Sequence, residues 1–131
     1  MKMVIGGAFQ GKHSYAERTF GITEGWADGM NCSLEDIFTC SGMKHFHEYV
    51  KLLVREKKDY QEFVKELFRR NPEICIVCNE IGYGVVPMDK FDREYREAVG
   101  RICEQLASGS DQVHRVMCGI GTVIKGGDGR C

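Results

Sequence analysis

The sequence predicts an α/β fold of three layers, with helices on both faces of a mainly parallel sheet. Short apolar runs alternate along the chain with charged segments of helical period, and glycine-rich turns follow the apolar runs. Alternating strands and helices favour parallel pairing through right-handed crossovers. The length of 131 residues fits one core, so we expect a single domain over residues 1–131. In such sheets ligands bind at the carboxyl ends of the strands.

The first third of the chain predicts two strands and one helix. Residues 2–6 form a short apolar strand, and Lys12–Phe20 is compatible with a helix that Gly21 ends. Residues 21–33 have no clear period and indicate a loop, with room for a short strand. Ile37–Cys40 is predicted as a second buried strand, because it is apolar and a Ser-Gly turn follows it.

Two amphipathic helices are predicted in the middle of the chain. Apolar residues recur at helical spacing over residues 46–54 and again over residues 60–68, with charges on the opposite face. Asp59 stands three residues before Glu62, as in an N-terminal capping box, and Asn71-Pro72 ends the second helix.

The last third predicts one strong strand, one long helix and one final strand. These cover residues 74–78, 89–107 and 112–118. Residues 79–87 form a glycine-hinged loop after the strong strand, and residues 119–131 are predicted as a glycine-rich tail.

Composition excludes several functions. Eighteen Lys and Arg against nineteen Asp and Glu give a net charge of −1, so we expect no nucleic-acid partner and only a local phosphate site. No run approaches the ~20 apolar residues of a membrane span, and no signal segment is visible, which favours the cytoplasm. Cys75 and Cys78 form a C-x-x-C, but a strand would direct them to opposite faces. Buried thiols are expected there, and zinc or redox chemistry is the alternative.

The loop after the first strand matches the phosphate-binding pattern G-x-x-x-x-G-K, the signature of a P-loop. The predicted nucleotide-binding residues are Gly6, Gly7, Ala8, Phe9, Gln10, Gly11, Lys12, His13 and Ser14. The pattern lies directly after a buried strand and before a helix, where backbone N–H groups, the helix N-terminus and Lys12 converge on phosphates. The alternative is a glycine turn followed by an exposed lysine.

One residue of this loop departs from the pattern. The position after Lys12 ordinarily carries Ser or Thr, whose hydroxyl binds Mg²⁺, and here it is His13, with Ser14 one step later. Imidazole is a poor ligand for this hard cation, so either phosphates, water and carboxylates hold Mg²⁺ or the loop binds nucleotide without turnover. The sequence assigns no metal ligand.

Several further segments together resemble a known family. They are Gly6 to Lys12, Asn79-Glu80-Ile81-Gly82-x-Gly84-Val85-Val86-Pro87, Arg93-x-Tyr95-Arg96-Glu97-x-x-Gly100, Ala107-x-x-x-Asp111-x-Val113, and Gly119 through Lys125. In order and spacing they resemble adenosylcobinamide kinase / adenosylcobinamide-phosphate guanylyltransferase. The resemblance covers residues 1–17 and 73–125, whereas residues 18–72 are shortened and not aligned.

The resemblance implies a P-loop NTPase-like domain that acts in cobalamin biosynthesis. Such an enzyme phosphorylates the hydroxyl of adenosylcobinamide, using ATP or GTP with Mg²⁺, and then joins the phosphate to GMP through a covalent guanylyl-histidine. The family's His-Arg segment that carries this histidine has no convincing counterpart here. The guanylyl acceptor is therefore unknown, and neither His45 nor His47 is assigned to it. The resemblance also implies a homo-oligomer.

Chemistry adds candidate roles for the strand ends. Lys12 is the first catalytic candidate, because phosphoryl transfer needs charge neutralisation. Glu80 follows the strongest strand and is a candidate to accept the substrate's hydroxyl proton or to orient a metal-bound water, the alternative being a solvated loop carboxylate. Asn79, Gly82, Gly84 and Pro87 are candidates for a substrate loop, in which glycine lets the backbone approach a bulky ligand.

Other residues carry two interpretations each. Arg93 and Arg96 share a helix face and either clamp phosphates or form surface ion pairs with Glu94 or Glu97. Asp36 is either a metal-associated carboxylate or a capping residue. His47 is expected to be a partly exposed structural residue. Trp26 either packs inward or covers a ligand.

The sequence therefore predicts a nucleoside-triphosphate-dependent adenosylcobinamide kinase, with guanylyl transfer the less supported half. The alternative is a binding protein of the same fold that retains nucleotide or corrinoid but has lost turnover. A third option is a small general nucleotide kinase.

Overall fold

The computed structural model describes residues 1–7, 10–80 and 89–126 of the chain. The strands are β1 (Lys2–Gly6), β2 (Trp26–Asp28), β3 (Gly42–Lys44), β4 (Cys75–Asn79), β5 (Gln112–Met117) and β6 (Ile120–Lys125). The helices are α1 (Lys12–Phe20), α2 (Phe46–Arg55), α3 (Tyr60–Arg70) and α4 (Lys90–Gly109).

All six strands form one sheet in the order β2-β3-β4-β1-β5-β6. The first five are parallel, and β6 returns antiparallel to β5. Helices α2, α3 and α4 pack against one face, and α1 packs against the other. The predicted three-layer α/β fold with a mainly parallel sheet is therefore confirmed.

The sheet separates two apolar clusters. The larger cluster joins α2, α3 and α4 to the sheet, and the smaller one joins α1 to the opposite face. Cys78 belongs to the larger cluster and Cys75 to the smaller, so the two thiols point to opposite faces as predicted. Both are buried and free, and the Cys78 Sγ lies 3.8 Å from the Cys103 Sγ.

The helix ends follow the signals in the sequence. Gly21 ends α1 in the left-handed conformation, with φ 70°. The Asp59 carboxylate accepts the backbone N–H of Glu62 at 3.0 Å and caps α3, which confirms the predicted capping residue. In the same way the Asp89 carboxylate accepts the N–H of Asp92 at 2.7 Å at the start of α4.

The predicted strand Ile37–Cys40 is wrong. Asp36–Phe38 forms a single 3-10 turn, and the strand of this region is β3, which begins at Gly42. Ile37 is fully buried, but its backbone carbonyl accepts the side-chain amide of Asn71 at 2.9 Å instead of a strand partner. A short apolar segment can be buried either as a turn or as a strand, and its composition alone does not distinguish the two.

The predicted glycine-rich tail is also corrected. Residues 120–125 form β6, which pairs with β5 through a turn at Cys118-Gly119. Gly121 lies against the ring of Tyr15 on α1, and a Cβ at this position would collide with that ring as it is placed. Residues 127–131 lie outside the described residues. Among the described helices, none has both the length and the apolar character that crossing a membrane requires.

Candidate functional site

The glycine loop lies at the carboxyl end of β1, in the middle of the sheet. A Cβ on Gly6 would collide with the backbone carbonyl of Val116 on β5. Gly11 is the N-cap of α1 and has φ 79°, a left-handed conformation that favours glycine. The two glycines at the ends of the pattern are therefore required by the backbone path.

The turn between β5 and β6 holds the loop from the other side. The carbonyl of Gln10 accepts the N–H of Gly119 at 2.8 Å, and its side-chain oxygen accepts the N–H of Cys118 at 2.6 Å. The loop is thus supported by residues more than 100 positions later in the chain.

Lys12 lies in the first turn of α1 and is buried, with 7% of its surface exposed. Its Nζ donates to the Gly7 carbonyl at 2.6 Å, so the side chain folds back over the loop. Burial lowers the pKa of Lys12, and the nearby ionisable groups of Cys78 and Glu80 act in the opposite direction. A bound anion would stabilise the charged form of Lys12, which burial disfavours. The alternative of an exposed lysine is excluded.

A cleft of about 330 Å³ opens beside this lysine. It is lined by Gln10, Gly11, Lys12, His13, Ser14, Lys44, His45, Val77 and Asn79. Two lysines and two histidines line it, without a carboxylate among the described residues. The cleft therefore has the charge and polarity that suit a phosphate-bearing ligand.

The two other described loop residues, Gly6 and Gly7, do not line this cleft. They support it, because Gly6 accepts the Glu80 N–H at 2.8 Å and Gly7 accepts from Lys12. Ala8 and Phe9 lie outside the described residues, and so do Gly82, Gly84 and Pro87 of the predicted substrate loop.

Glu80 lies beside the cleft but does not line it. Arg115 on β5 holds its carboxylate with both fork nitrogens, at 2.8 Å and 3.0 Å. The pair is partly exposed. Because both carboxylate oxygens are engaged by a guanidinium, Glu80 is neither a free solvated carboxylate nor an unengaged base.

His13 packs edge-on against Trp26, with ring centroids 4.5 Å apart. Its Nε2 is buried and has no hydrogen-bond partner among the residues that the structure describes, and burial lowers the pKa of the imidazole. Trp26 therefore packs inward, and its Nε1 donates to the Ile22 carbonyl at 2.9 Å.

The described residues do not supply a site for Mg²⁺. No group of three or more His, Cys, Asp or Glu among them could hold a metal ion. His13 occupies the position of the usual hydroxyl ligand, and its ring is held against Trp26, whereas Ser14 is exposed beside the cleft. We assign no protein ligand to Mg²⁺.

His47 is buried, with 7% of its surface exposed, so the prediction of a partly exposed residue is wrong. Its Nδ1 accepts the backbone N–H of Asn79 at 3.2 Å, which draws the side chain from α2 toward the end of β4. Burial lowers its pKa to about 4. His47 thus fixes the backbone of Asn79, which lines the cleft.

The remaining candidates lie outside the cleft. Arg96 pairs with Asp92 at 3.3 Å on its own helix and not with the predicted glutamates. Arg93 is exposed, and neither arginine lines the cleft. Asp36 is exposed, and its carboxylate accepts the Ser33 N–H at 2.9 Å, so it caps a turn as the alternative held.

Three cleft residues escaped sequence reasoning. They are Lys44, His45 and Val77. Val77 lies within the predicted strong strand, but no signal marked it as facing a ligand. Lys44 is the last residue of β3 and His45 follows it, and the sequence did not reveal this strand of three residues. The two closely spaced histidines, His45 and His47, were the signal in the sequence that could have pointed to this part of the cleft. Without β3, nothing placed them beside the phosphate loop.

Comparison with known proteins agrees with this architecture. Residues 27–124 match the sequence model of the CobU family, described as cobinamide kinase / cobinamide phosphate guanyltransferase. The chain belongs to the CobU family. The match includes residues 27–72, which the sequence analysis left unaligned, and it begins after the phosphate loop. The site at this loop in the CobU-family chain therefore rests on its own residues and geometry.

Two curated relatives share part of this CobU-family chain. The bifunctional adenosylcobalamin biosynthesis protein CobU of Escherichia coli strain K12 is 34% identical over 67 residues, which is 51% of this chain and 37% of the relative. The protein of the same name from Salmonella typhimurium strain LT2 is 40% identical over 53 residues, which is 40% of this chain and 29% of the relative. The aligned segments thus span about a third of the relatives' length.

Proposed function

We propose that this chain is a phosphotransferase that moves the γ-phosphoryl group of a nucleoside triphosphate onto the hydroxyl of adenosylcobinamide. The observation that carries the proposal is the buried Lys12, at the start of α1 and beside a glycine loop and a cationic cleft. Lysine in this position neutralises the charge of the transferred phosphoryl group. Membership of the CobU family supplies the corrinoid substrate class.

Within this proposal, the donor is ATP or GTP, and Mg²⁺ arrives on the phosphate oxygens of the nucleotide. Gln10, Gly11, Lys12, His13 and Ser14 bind the phosphates, with Gly6 and Gly7 as support. Asn79 borders the acceptor side. Glu80 positions the end of β4 through Arg115 and is not retained as the base. Homo-oligomeric assembly also remains a proposal, which sedimentation analysis would test.

Incubation of the purified chain with adenosylcobinamide, Mg²⁺ and ATP or GTP tests the kinase proposal. We expect a corrinoid that is heavier by one phosphoryl group in mass spectrometry, and no such product from Lys12→Ala. Lys65→Ala, which removes an exposed lysine on α3, is the matched control and should behave as wild type. Absence of product from folded wild type, or equal product from Lys12→Ala, contradicts the proposal.

A binding protein without turnover is the second candidate. It is favoured by His13 in place of the hydroxyl and by the absence of a metal-ligating cluster among the described residues. Calorimetry separates the two, because binding of triphosphate or corrinoid without product formation supports this candidate. In that case His13→Ser is expected to alter the Mg²⁺ dependence of binding.

A further inference from the structure

An aspartate–histidine pair lies at the edge of the cleft. The Nδ1 of His45 is 2.9 Å from the Oδ1 of Asp28. The two residues meet because β2 and β3 are parallel neighbours, with Asp28 opposite Lys44, so that His45 leaves the sheet one position later. The same Asp28 oxygen accepts the backbone N–H of Met30 at 2.9 Å. The carboxylate is therefore held from two sides.

The charge of Asp28 is secured by these contacts. Burial acts to raise its pKa, but the hydrogen bonds from Met30 and His45 outweigh that effect and hold the pKa below its ordinary value. A carboxylate only accepts hydrogen bonds, so the Nδ1 of a neutral His45 carries the proton. The lone pair then lies on Nε2, which has no hydrogen-bond partner among the described residues.

The backbone of His45 is held in an unusual conformation. Its φ of 56° and ψ of 43° are left-handed, a region that non-glycine residues rarely adopt. His45 is also the N-cap residue of α2, and its carbonyl accepts the N–H of Glu48 at 2.9 Å. Gly29 permits this path, because a Cβ there would collide with the His45 carbonyl. Backbone strain of this kind clusters at functional sites, where the surrounding structure holds it in place.

We propose that His45 is the general base of the phosphoryl transfer and that Asp28 is its positioning residue. This inference rests on the proposed function. His45 and Lys12 line the same cleft, whereas the carboxylate of Glu80 is engaged by Arg115. The acceptor in the proposed reaction is an alcohol, and its proton must be removed when its oxygen attacks phosphorus.

In the proposed step the alcohol gives its proton to the Nε2 of His45, and its oxygen forms a bond to the γ-phosphorus. The bond from the γ-phosphorus to the β,γ-bridging oxygen breaks, and the nucleoside diphosphate leaves with that electron pair. The imidazolium is stabilised by Asp28 until it returns its proton to solvent.

The test is His45→Gly with chemical rescue. Glycine accepts the left-handed backbone and leaves a space that free imidazole can fill. We expect the kcat for corrinoid phosphorylation to fall by about 10²-fold, with the affinity for triphosphate retained, and added imidazole to restore part of the rate. Asp28→Asn should lower kcat without rescue by imidazole.

Lys57→Gly is the matched control. Lys57 is the other left-handed non-glycine residue of the α2 region, with φ 52°, and it does not line the cleft. This variant relieves the same backbone strain, so we expect wild-type kcat and no response to imidazole.

The outcomes separate the two proposals. Wild type that forms no phosphorylated corrinoid overturns both the proposed function and the base. Active wild type together with His45→Gly of undiminished kcat, or with a loss that imidazole does not relieve, overturns the base alone. Label from [γ-³²P]GTP held covalently by wild type and lost in His45→Gly would show that the imidazole attacks the γ-phosphorus itself, which also overturns proton acceptance.

Discussion

Two clefts that are lined by residues of the described part of the chain have nearly equal volumes and differ in charge. The cleft at the phosphate loop measures about 330 Å³, and a second cleft, between the 3-10 turn, α2 and α3, measures about 320 Å³. The second cleft has an apolar floor that includes Phe38 and Tyr49. Its charged residues are Glu35, Asp59, Glu62, Glu66, Lys58 and Arg70.

The charged groups of the second cleft are largely committed to each other or to the backbone. Arg70 pairs with Glu35 and Glu66 and lies over the ring of Phe38, and Asp59 caps α3. In the first cleft the Lys12 ammonium donates, among the described residues, only to a loop carbonyl, which a phosphate oxygen can replace. The two clefts hardly differ in volume. They differ in whether their cation is paired with carboxylates, as Arg70 is, or can bind an anionic ligand, as Lys12 can.

The largest effect on ligand affinity is expected from removing the lysine of each cleft. Lys12→Ala should weaken the binding of triphosphate by about 10- to 100-fold, because it removes a charge-assisted hydrogen bond to the phosphates. Lys58→Ala, which removes the lysine of the second cleft, should leave the affinity unchanged. Isothermal titration calorimetry with ATP and GTP measures both, and equal affinities for the two variants would remove the distinction between the clefts.

The next effect concerns the backbone that shapes the first cleft. Gly6→Ala should destabilise the fold by about 3 kcal/mol, at the upper end for overpacking, since the new Cβ meets a backbone carbonyl that cannot move aside. Gly100→Ala in the exposed middle of α4 is the matched control, because nothing lies within 4 Å of its Cβ position. That control should stabilise by about 0.5–1 kcal/mol. Urea unfolding tests the pair, and a Gly6→Ala variant as stable as wild type would contradict the packing described.

The smallest effect is a pH dependence from His47, which supports the first cleft and has no counterpart in the second. Its pKa of about 4 in the folded chain lies below the ordinary histidine pKa of 6.5. The unfolded chain therefore binds more protons between these values, and stability is lost as the pH falls from about 6.5 to 4.

Between pH 7 and pH 4.5 this loss should reach about 2 kcal/mol and should be absent in His47→Gln. Gln retains an acceptor for the Asn79 N–H, so the comparison isolates the titration. Denaturant unfolding at several pH values makes the measurement. Parallel losses in both proteins would show that other groups, His13 included, account for the dependence.

The sequence predicted the regions whose structure is determined locally. The boundaries of β1 and α1 are confirmed at both ends, because apolar residues, Gly11 and Gly21 mark them directly. The helices α2, α3 and α4 are confirmed by their period and by the cap at Asp59.

The sequence did not predict the edge of the sheet that completes the cleft. The strands β2 and β3 have three residues each, and their pairing depends on Trp26 lying against Gly42, a contact between distant segments. The meeting of Asp28 with His45 follows from that register and from nothing local. The phosphate loop was therefore predicted from its pattern, and the aspartate–histidine pair was not.

The bonds from Cys118 and Gly119 to Gln10 also bear on the order in which the chain acquires its structure. During synthesis the loop is made more than 100 residues before the turn that holds it. Such long-range contacts form slowly, because the chain loses the entropy of closing a long loop before the contact contributes any favourable free energy. The nascent chain thus contains the complete phosphate-binding pattern well before it contains the support for that pattern. Competence to bind a nucleotide should consequently be gained only after that distant support has been made and has folded onto the loop.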